Sequence, residues 1–202
     1  MVPEATASGV AGAILAGGAG RRMGGAVKAG LVLGGEPLLS RAAGRLAPQC
    51  AVLAVCAGPA PRRLAELMPP GAACLPDPLP GHAGPLAGLL AALDWAAGEG
   101  MPDVLTVAVD IPFFPVDLGA RLAAGRGDSA VALAEDDDGL HPVCGLWRSA
   151  LADDLRAALA AGDRRMAGFA EAAGAVPVRF PGRGAFFNVN RAADLASAEA
   201  RI

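Results

Sequence analysis

The sequence predicts an α/β fold: a three-layer α/β/α arrangement with a mostly parallel, Rossmann-like sheet between two helical layers. Short apolar runs typical of strands alternate along the chain with longer alanine- and leucine-rich runs typical of helices. Clusters of proline and glycine separate these runs, and none is long enough to divide the chain. With 202 residues, 53% of them hydrophobic, the chain can bury one core. We therefore expect a single domain over residues 10–202, preceded by a loose tail at 1–9.

Each element follows from a local pattern. The run from Val10 to Leu15 is wholly apolar and predicts a buried first strand. Pro37 is expected to open the first helix, because proline is tolerated in the first helical turn. The further strands are predicted at 31–33, 51–57, 72–75, 104–109, 129–134, 143–147 and 175–180, with an extended piece at 185–190. The helices are predicted at 37–47, 61–68, 85–97, 116–124, 150–161, 165–173 and 192–201.

A glycine-rich turn follows the first strand. It contains Gly17 and Gly18, and Arg21, Arg22 and Lys28 lie within or just after it. Glycine lets backbone N–H groups approach a ligand closely, and successive N–H groups can bind an anion. The three cations add charge that suits phosphate oxygens. This combination predicts a binding site for a nucleoside triphosphate, although a basic glycine turn that serves only solubility is the alternative.

Two common phosphate-binding loops do not fit this turn. A Walker A loop ends in Gly-Lys-Ser/Thr, and no glycine here is followed by lysine. A dinucleotide-binding loop needs a third glycine three residues after Gly20, where this chain has Met23. The turn is therefore neither a Walker A loop nor a dinucleotide-binding loop.

Two aspartates follow apolar runs in the middle of the chain. Asp110 follows the run 104–109, so its carboxylate is expected at a strand end, opposite the glycine turn. A hard carboxylate facing phosphates suits Mg²⁺, which takes one or two carboxylates and leaves other positions to phosphate and water. Capping of the next helix is the alternative for Asp110. Asp77 could accept hydrogen bonds from a base or ribose, or could simply form a turn.

Four further polar or loop positions are candidates for substrate binding. Asn188 and Asn190 lie two apart and could complete a metal shell or bind a second substrate, with helix capping as the alternative for Asn190. Gly84 begins a helix, and helix N-termini favour anions. His141 could bind substrate, and a purely structural role is the alternative. The acidic run 135–138 is expected to be a solvated hairpin tip, with attraction of a cation as the alternative.

Bulk composition excludes several classes of function. The net charge of −3 argues against a general nucleic-acid binder. The four cysteines lack metal-site or redox spacing and are expected to be reduced thiols. The first residues lack a signal-peptide pattern, and no run is long enough to span a membrane. We expect a cytoplasmic protein that binds neither nucleic acid nor membrane.

Taken together, the motifs resemble those of a known family. The first block is Leu15-Ala16-Gly17-Gly18, then Arg21-Arg22-Met23-Gly24-Gly25 and Lys28, which is similar to the signature of the glycosyltransferase-A-like nucleotidyltransferases. The later blocks are Pro76-Asp77, Gly84-Pro-Leu-Ala-Gly88, Asp110-x-Pro-Phe, His141-Pro and Phe187-Asn-Val-Asn190. In this order they resemble the molybdenum cofactor guanylyltransferase family over most of the chain.

The resemblance implies a fold, substrates and residue roles. The fold is of the nucleotide-diphospho-sugar transferase type, the substrates are GTP and molybdopterin, the cofactor is Mg²⁺, and pyrophosphate leaves. Proteins that load molybdopterin and chaperones of molybdoenzymes are implied partners. Carried onto this chain, the family's nucleotide-binding residues are Leu15, Ala16, Gly17, Gly18, Arg21, Lys28, Asp77, Gly84 and Asp110. Arg22, Lys28 and Asp110 carry the catalysis, Asp110 holds the metal, and Asn188, Asn190 and His141 bind the second substrate.

The chain departs from the family pattern at three places. Val27-Lys28-Ala29 stands where the family often has Asp-Lys-Gly, and Cys56 stands near a common asparagine. Arg191-Ala-Ala replaces the usual Thr-Pro-Glu. A cytidylyltransferase or sugar-phosphate nucleotidyltransferase is the alternative enzyme, and a catalytically silent nucleotide-binding module is the alternative outside enzymes.

Overall fold

A computed structural model describes residues 9–17, 28–58, 61–78 and 84–202 of the chain. Its helices are α1 Leu38–Leu46, α2 Pro85–Gly98, α3 Leu118–Arg126, α4 Ala152–Ala160, α5 Met166–Ala172 and α6 Ala192–Glu199. Its strands are β1 Val10–Leu15, β2 Val32–Leu33, β3 Glu36–Pro37, β4 Val52–Gly58, β5 Ala73–Pro76, β6 Asp103–Ala108, β7 Val131–Asp136, β8 Gly139–Arg148 and β9 Val176–Arg179. A 3-10 segment, Pro61–Leu67, replaces the short α-helix predicted at 61–68.

Seven of the described strands form one sheet in the order β5-β4-β1-β6-β8-β7-β9. Strand β8 pairs antiparallel with both of its neighbours, and the other pairs in this sheet are parallel. Strands β2 and β3 form a separate small antiparallel pair. The mostly parallel sheet predicted from the sequence is confirmed.

Helices cover both faces of the sheet, and the two faces bury separate apolar clusters. The first strand shows this directly, because Ile14 packs with α1 and α3 on one face while its neighbours Ala13 and Leu15 pack with α2 on the other. Every residue of β1 is buried, as expected for a central strand of a parallel sheet. The three-layer architecture is therefore confirmed.

The segment predicted as extended at 185–190 forms no strand. It begins with a turn, and the ring of Phe186 packs into the core beside Phe180. The Val189 N–H group donates to the backbone oxygen of Asp110 at 2.8 Å, outside any strand ladder. The local pattern of apolar residues resembled a strand, but the long-range packing of Phe186 and Val189 determines this segment's path.

The parallel strands end together at one edge of the sheet, and β8 begins there because it runs in the opposite direction. Asp77 follows β5, Asp110 follows β6 and Asp136 ends β7. The carboxyl edge is where ligands bind in open α/β sheets. The topology thus brings the polar residues of several strand ends to one side of the molecule.

A buried ion pair fixes the opposite edge. Arg126, the last residue of α3, donates to both carboxylate oxygens of Asp103 at 2.6 and 3.0 Å, and Asp103 begins β6. Both residues are buried. Because the loss of Asp103 would leave the buried Arg126 charge uncompensated, this pair holds α3 against the start of the central strand.

We expect Asp103→Ala to lower the free energy of unfolding by about 3 kcal/mol, since it leaves the Arg126 charge buried without its partner. Chemical denaturation measures the loss. Asp94→Ala is the matched control, because Asp94 pairs with Arg156 at the surface. The control should have almost the same free energy of unfolding as the parent chain. An equal loss in both variants would contradict the explanation that the cost comes from leaving a buried charge unpaired.

Candidate functional site

A cleft of about 400 Å³ lies at the carboxyl edge of the sheet. It is lined by backbone and small side chains from the end of β1 and the start of α2, together with polar residues from later strand ends. The predicted site residues among its lining are Leu15, Ala16, Gly17, Lys28, Asp77, Gly84, Asp110 and Asn188. These residues therefore lie together at one edge of the sheet in the described part of the chain, as the sequence predicts.

Two glycines, Gly17 just after β1 and Gly58 at the end of β4, let these two parts of the chain approach each other beside the cleft. A Cβ atom on Gly17 would lie 2.8 Å from the Cα atom of Gly58, and one on Gly58 would lie 2.7 Å from the Cα atom of Gly17. Gly58 also has φ of +66°, which favours glycine. The Ala16 N–H group donates to the Cys56 carbonyl at 2.9 Å, which aligns the two segments.

The only lysine in the sequence, Lys28, joins two distant parts of the chain at this cleft. Its ammonium Nζ donates to Oδ2 of Asp110 at 2.6 Å and to Oδ1 of Asn190 at 2.5 Å. The side chains of Lys28 and Asp110 are 21% and 14% exposed, so the ion pair is only partly open to solvent. Partial burial strengthens such a pair, because water screens it less.

These contacts exclude the capping alternatives. The residue at the start of α3 is Asp117, and the carboxylate of Asp110 pairs with Lys28 instead. Helix α6 begins after Arg191, and the Asp194 carboxylate accepts hydrogen bonds from the backbone N–H groups of Asn190 and Arg191. The interpretations of Asp110 and Asn190 as helix caps are therefore wrong.

Asp77 lies on the β5 side of the cleft. Its N–H group donates to the Gly58 carbonyl at 3.3 Å, and partial burial raises the pKa of its carboxyl group above the usual value. Nearby Cys56 is fully buried in the wall, and burial raises the pKa of its thiol to about 12. Cys56 is therefore a neutral thiol at neutral pH.

The start of α2 covers the same part of the cleft. Gly84 precedes the helix, and a Cβ atom on Gly88 would meet Leu15 at 3.3 Å and Cys56 at 3.4 Å. A larger residue at position 88 would crowd the side chains of Leu15 and Cys56. The glycine therefore lets the N-terminal turn of α2 sit close above the ends of β1 and β4.

His141 lies on β8, beside the cleft rather than in its lining. Its Nε2 atom is 2.8 Å from Oδ1 of Asp136, and its ring stacks on Phe186 with centroids 4.6 Å apart. Burial raises the pKa of Asp136, but hydrogen bonds from His141 and from the Asp138 N–H group outweigh burial and lower it overall.

Only part of the acidic run 135–138 is exposed to solvent. Asp136 is only 2% exposed, whereas Asp137 and Asp138 form ion pairs with Arg179 and Arg183 at the turn. The prediction is wrong for Asp136, which sequence reasoning missed as a functional candidate. The alternation along β7 was the available signal, since Asp136 shares a face with the buried Ala132 and Ala134.

The oxygen donors of the site fit Mg²⁺ only when a phosphate ligand completes the shell. Within the described residues, no group of three or more His, Cys, Asp or Glu side chains could hold a metal ion. Asp110 and Asn190 contribute hard oxygen atoms, which Lys28 contacts in this structure. One carboxylate is sufficient for Mg²⁺, because this ion commonly keeps water and substrate phosphates in its shell.

Some predicted residues lie outside the described part of the chain. Gly18, Arg21 and Arg22 belong to this group, as does the predicted tail apart from Gly9. Among the helices of the described segments, none has the length and apolarity needed to cross a membrane.

Comparison with known proteins identifies relatives over nearly the whole chain. The profile of the MobA-like NTP transferase domain matches residues 12–176. A molybdenum cofactor guanylyltransferase of Cereibacter sphaeroides is 50% identical over 191 residues, covering 95% of this chain and 96% of the relative. A molybdenum cofactor guanylyltransferase of Bradyrhizobium sp. (strain ORS 278) is 44% identical over 203 residues, covering 97% of this chain and 94% of the relative.

Solved structures share the fold. Molybdopterin-guanine dinucleotide biosynthesis protein A from Archaeoglobus fulgidus superposes with a TM-score of 0.70 at 24% identity, covering 95% of this chain and 97% of that one. The 2-C-methyl-D-erythritol 4-phosphate cytidylyltransferase from Thermus thermophilus superposes with a TM-score of 0.65 at 22% identity, covering 94% and 96%. At these identities the superpositions bear on the architecture alone.

We expect Gly58→Ala to lower the free energy of unfolding by about 1–3 kcal/mol, because alanine is strained at this φ and its methyl group would press on Gly17. Denaturant unfolding measures the effect. Gly44→Ala is the control, because a Cβ atom at this helical position meets nothing within 4 Å. The control should be as stable as the parent chain or more so. A stable Gly58→Ala variant would contradict the close approach.

We expect Asp77→Asn to raise the melting temperature at pH 7. The pKa of Asp77 is higher in the folded chain than in the unfolded chain, so ionisation costs stability as the pH rises through the folded-state value. Below the unfolded value of about 3.9 both states are protonated and the cost vanishes. Thermal unfolding from pH 7 to pH 4 should therefore show a shrinking gain. Asp128→Asn, at an exposed position, should show no gain at either pH, and a gain equal to that of Asp77→Asn would refute the explanation.

Proposed function

The chain belongs to the MobA-like NTP transferase family, and from this premise we propose that it transfers GMP from GTP to the phosphate of molybdopterin, releasing pyrophosphate. The product is molybdopterin guanine dinucleotide. Relatives of 50% and 44% identity are molybdenum cofactor guanylyltransferases over almost their full length, which supports this reaction over cytidylyl or sugar-phosphate transfer. The observation that carries the proposal is the contact of Lys28 with both Asp110 and Asn190 at this cleft.

The β1–β4–β5 side of the cleft is proposed to bind GTP. The backbone of Leu15, Ala16 and Gly17 would contact the nucleotide, since the close approach of Gly17 to Gly58 keeps side chains out of this part of the site. Asp77 would accept hydrogen bonds from the nucleoside. Gly84, at the start of α2, would offer its N–H group and the positive end of the helix to the phosphates. Gly18 and Arg21 of the glycine turn would bind phosphate as well.

The centre of the cleft is proposed to hold the triphosphate and a magnesium ion. Asp110 would bind Mg²⁺, which when present would neutralise charge on the phosphate oxygens. Lys28 would release the oxygens that it contacts in this structure and donate to phosphate. Arg22 would assist by stabilising the charge on the departing pyrophosphate.

The far side of the cleft is proposed to bind molybdopterin through Asn188, Asn190 and His141. An oxygen of the molybdopterin phosphate attacks the α-phosphorus of GTP in line. A P–O bond forms between the attacking oxygen and the α-phosphorus, and the bond from the α-phosphorus to the oxygen that bridges to the β-phosphate breaks. The electron pair of the broken bond leaves with pyrophosphate. No covalent enzyme intermediate is needed, because a phosphate monoester is already an anionic nucleophile. Catalysis then consists of positioning and electrostatic stabilisation.

Interactions outside the cleft remain predictions of the sequence. A cytoplasmic location and docking with proteins that supply molybdopterin or receive the dinucleotide would fit this reaction. A catalytically silent nucleotide-binding module is the alternative that an assay excludes directly, since it would bind GTP without releasing pyrophosphate.

We expect Asp110→Ala to reduce pyrophosphate release from GTP and molybdopterin by about 100-fold or more, because it removes the proposed metal ligand and the partner of Lys28. The assay is run with each nucleoside triphosphate, with and without molybdopterin and Mg²⁺. GTP should be the preferred substrate, and both additions should be required.

Asp117→Ala is the matched control, since Asp117 is exposed and its side chain caps no helix. The control should keep parental activity. Near-normal turnover by Asp110→Ala with Mg²⁺ would show that the role of Asp110 is wrong, and preference for CTP would show that the proposed base is wrong.

A further inference from the structure

The strand order places His141 and Asp136 on the side of Asp110 that lies away from Asp77. Along the edge, β5 and β4 come first, then β1 and β6, and then β8 and β7. Neighbouring strands are about 4.8 Å apart, so His141 lies one strand beyond Asp110 and Asp136 one strand further. A molybdopterin whose phosphate reaches Asp110 would therefore extend its pterin toward His141.

The imidazole of His141 is held from two directions. Its Nε2 atom hydrogen-bonds to the buried carboxylate of Asp136, and its ring lies against Phe186 at an interplanar angle of 26°. Asp136 is itself fixed by the Asp138 N–H group, which donates to the same Oδ1 atom at 2.8 Å. The imidazole ring therefore has little freedom to rotate or to leave this position.

The contact also determines where the ring proton lies. An ionised carboxylate can only accept a hydrogen bond, so the Nε2 atom must carry the hydrogen. The pKa of Asp136 is lowered, which keeps it ionised at neutral pH. In the neutral imidazole the Nδ1 atom is then left without a hydrogen and acts as an acceptor.

The other charged groups near Asp136 and His141 have other partners, so it is Asp136 that orients the imidazole. The Arg179 guanidinium donates to the backbone oxygen of Asp136 and pairs with the Asp137 carboxylate, so it does not pair with the Asp136 side chain. Arg183 pairs with Asp138 at 3.6 Å. The second oxygen of Asp136, Oδ2, is buried and has no hydrogen-bond partner among the described residues. Within that part of the chain, the one side-chain hydrogen bond of the carboxylate is to His141.

We propose that Asp136 is a positioning residue that acts through His141, holding the imidazole so that its Nδ1 atom accepts a hydrogen bond from an N–H group of the pterin. This assignment rests on the proposed function, in which the second substrate binds on the β8 side. Asp136 thereby contributes to recognition of molybdopterin without touching it. A pair that only stabilised the fold would affect both substrates alike.

The test compares Asp136→Asn, His141→Gln and the double variant in steady-state assays with each substrate varied in turn. We expect Asp136→Asn to raise the KM for molybdopterin by about tenfold, roughly the value of one lost hydrogen bond, and to leave the KM for GTP unchanged. The double variant should be no worse than His141→Gln, because Asp136 acts through that side chain. Additive effects, or an equal rise in the KM for GTP, would overturn the proposal.

Asp138→Asn is the matched control. It removes a carboxylate from the same turn but keeps the backbone N–H group that contacts Asp136, so it should leave both KM values unchanged. Thermal unfolding of all variants shows whether a loss of activity reflects a loss of fold. A control variant with the same KM change as Asp136→Asn would also overturn the proposal.

A measurement on the ligand-free parent chain is independent of turnover and of variant stability. Nitrogen NMR at pH 8 distinguishes the two neutral tautomers of histidine, and His82→Gln identifies the signal of His141, since the sequence has only these two histidines. We expect the hydrogen on Nε2, and a hydrogen on Nδ1 would overturn the assignment of Asp136. Absence of pyrophosphate release from the parent chain would instead refute the proposed function, whatever the tautomer.

Discussion

The contact of one ammonium group with two oxygen atoms joins the parts of this site. Lys28 follows the glycine turn, Asp110 ends the run of β6, and Asn190 precedes the last helix, so the contacts span 82 and 162 residues of sequence. Without a cation between them, the Asp110 carboxylate and the Asn190 amide oxygen would repel each other, because one is negatively charged and the other is partially negative. The Lys28 charge therefore allows two acceptor groups to meet at the place where a nucleotide and its metal ion would bring further charge.

The sheet makes this meeting possible. Parallel strands place their carboxyl ends at one edge, and the antiparallel β8 starts at that same edge. Small residues then allow close approach, as at Gly17 and Gly58, where any side chain would occupy the space between two backbones. The close approach of these two glycines keeps side chains out of this part of the site.

Two carboxylates at this edge of the sheet lie in different electrostatic environments. Asp77, partly buried and without a charged partner among the described side chains, has a raised pKa, whereas Asp136 has a lowered one because its hydrogen bonds outweigh burial. The difference follows the strand order, with Asp77 on the proposed nucleoside side and Asp136 on the proposed pterin side. One edge of the sheet therefore holds one carboxylate whose ionised form is destabilised and one whose ionised form is stabilised.

The sequence by itself determined the layers, most strands and helices, and the identity of the main polar residues. Apolar runs and breaks are local features, and the composition of a strand such as Val10–Leu15 already indicates that it is buried. Tertiary structure alone decided the contact of Lys28 with Asp110 and Asn190, the irregular path after Gly184, and the pairing of Asp136 with His141. These depend on which distant segments pack together, and an aspartate in a charged run looks the same in sequence whether a histidine or water is its partner.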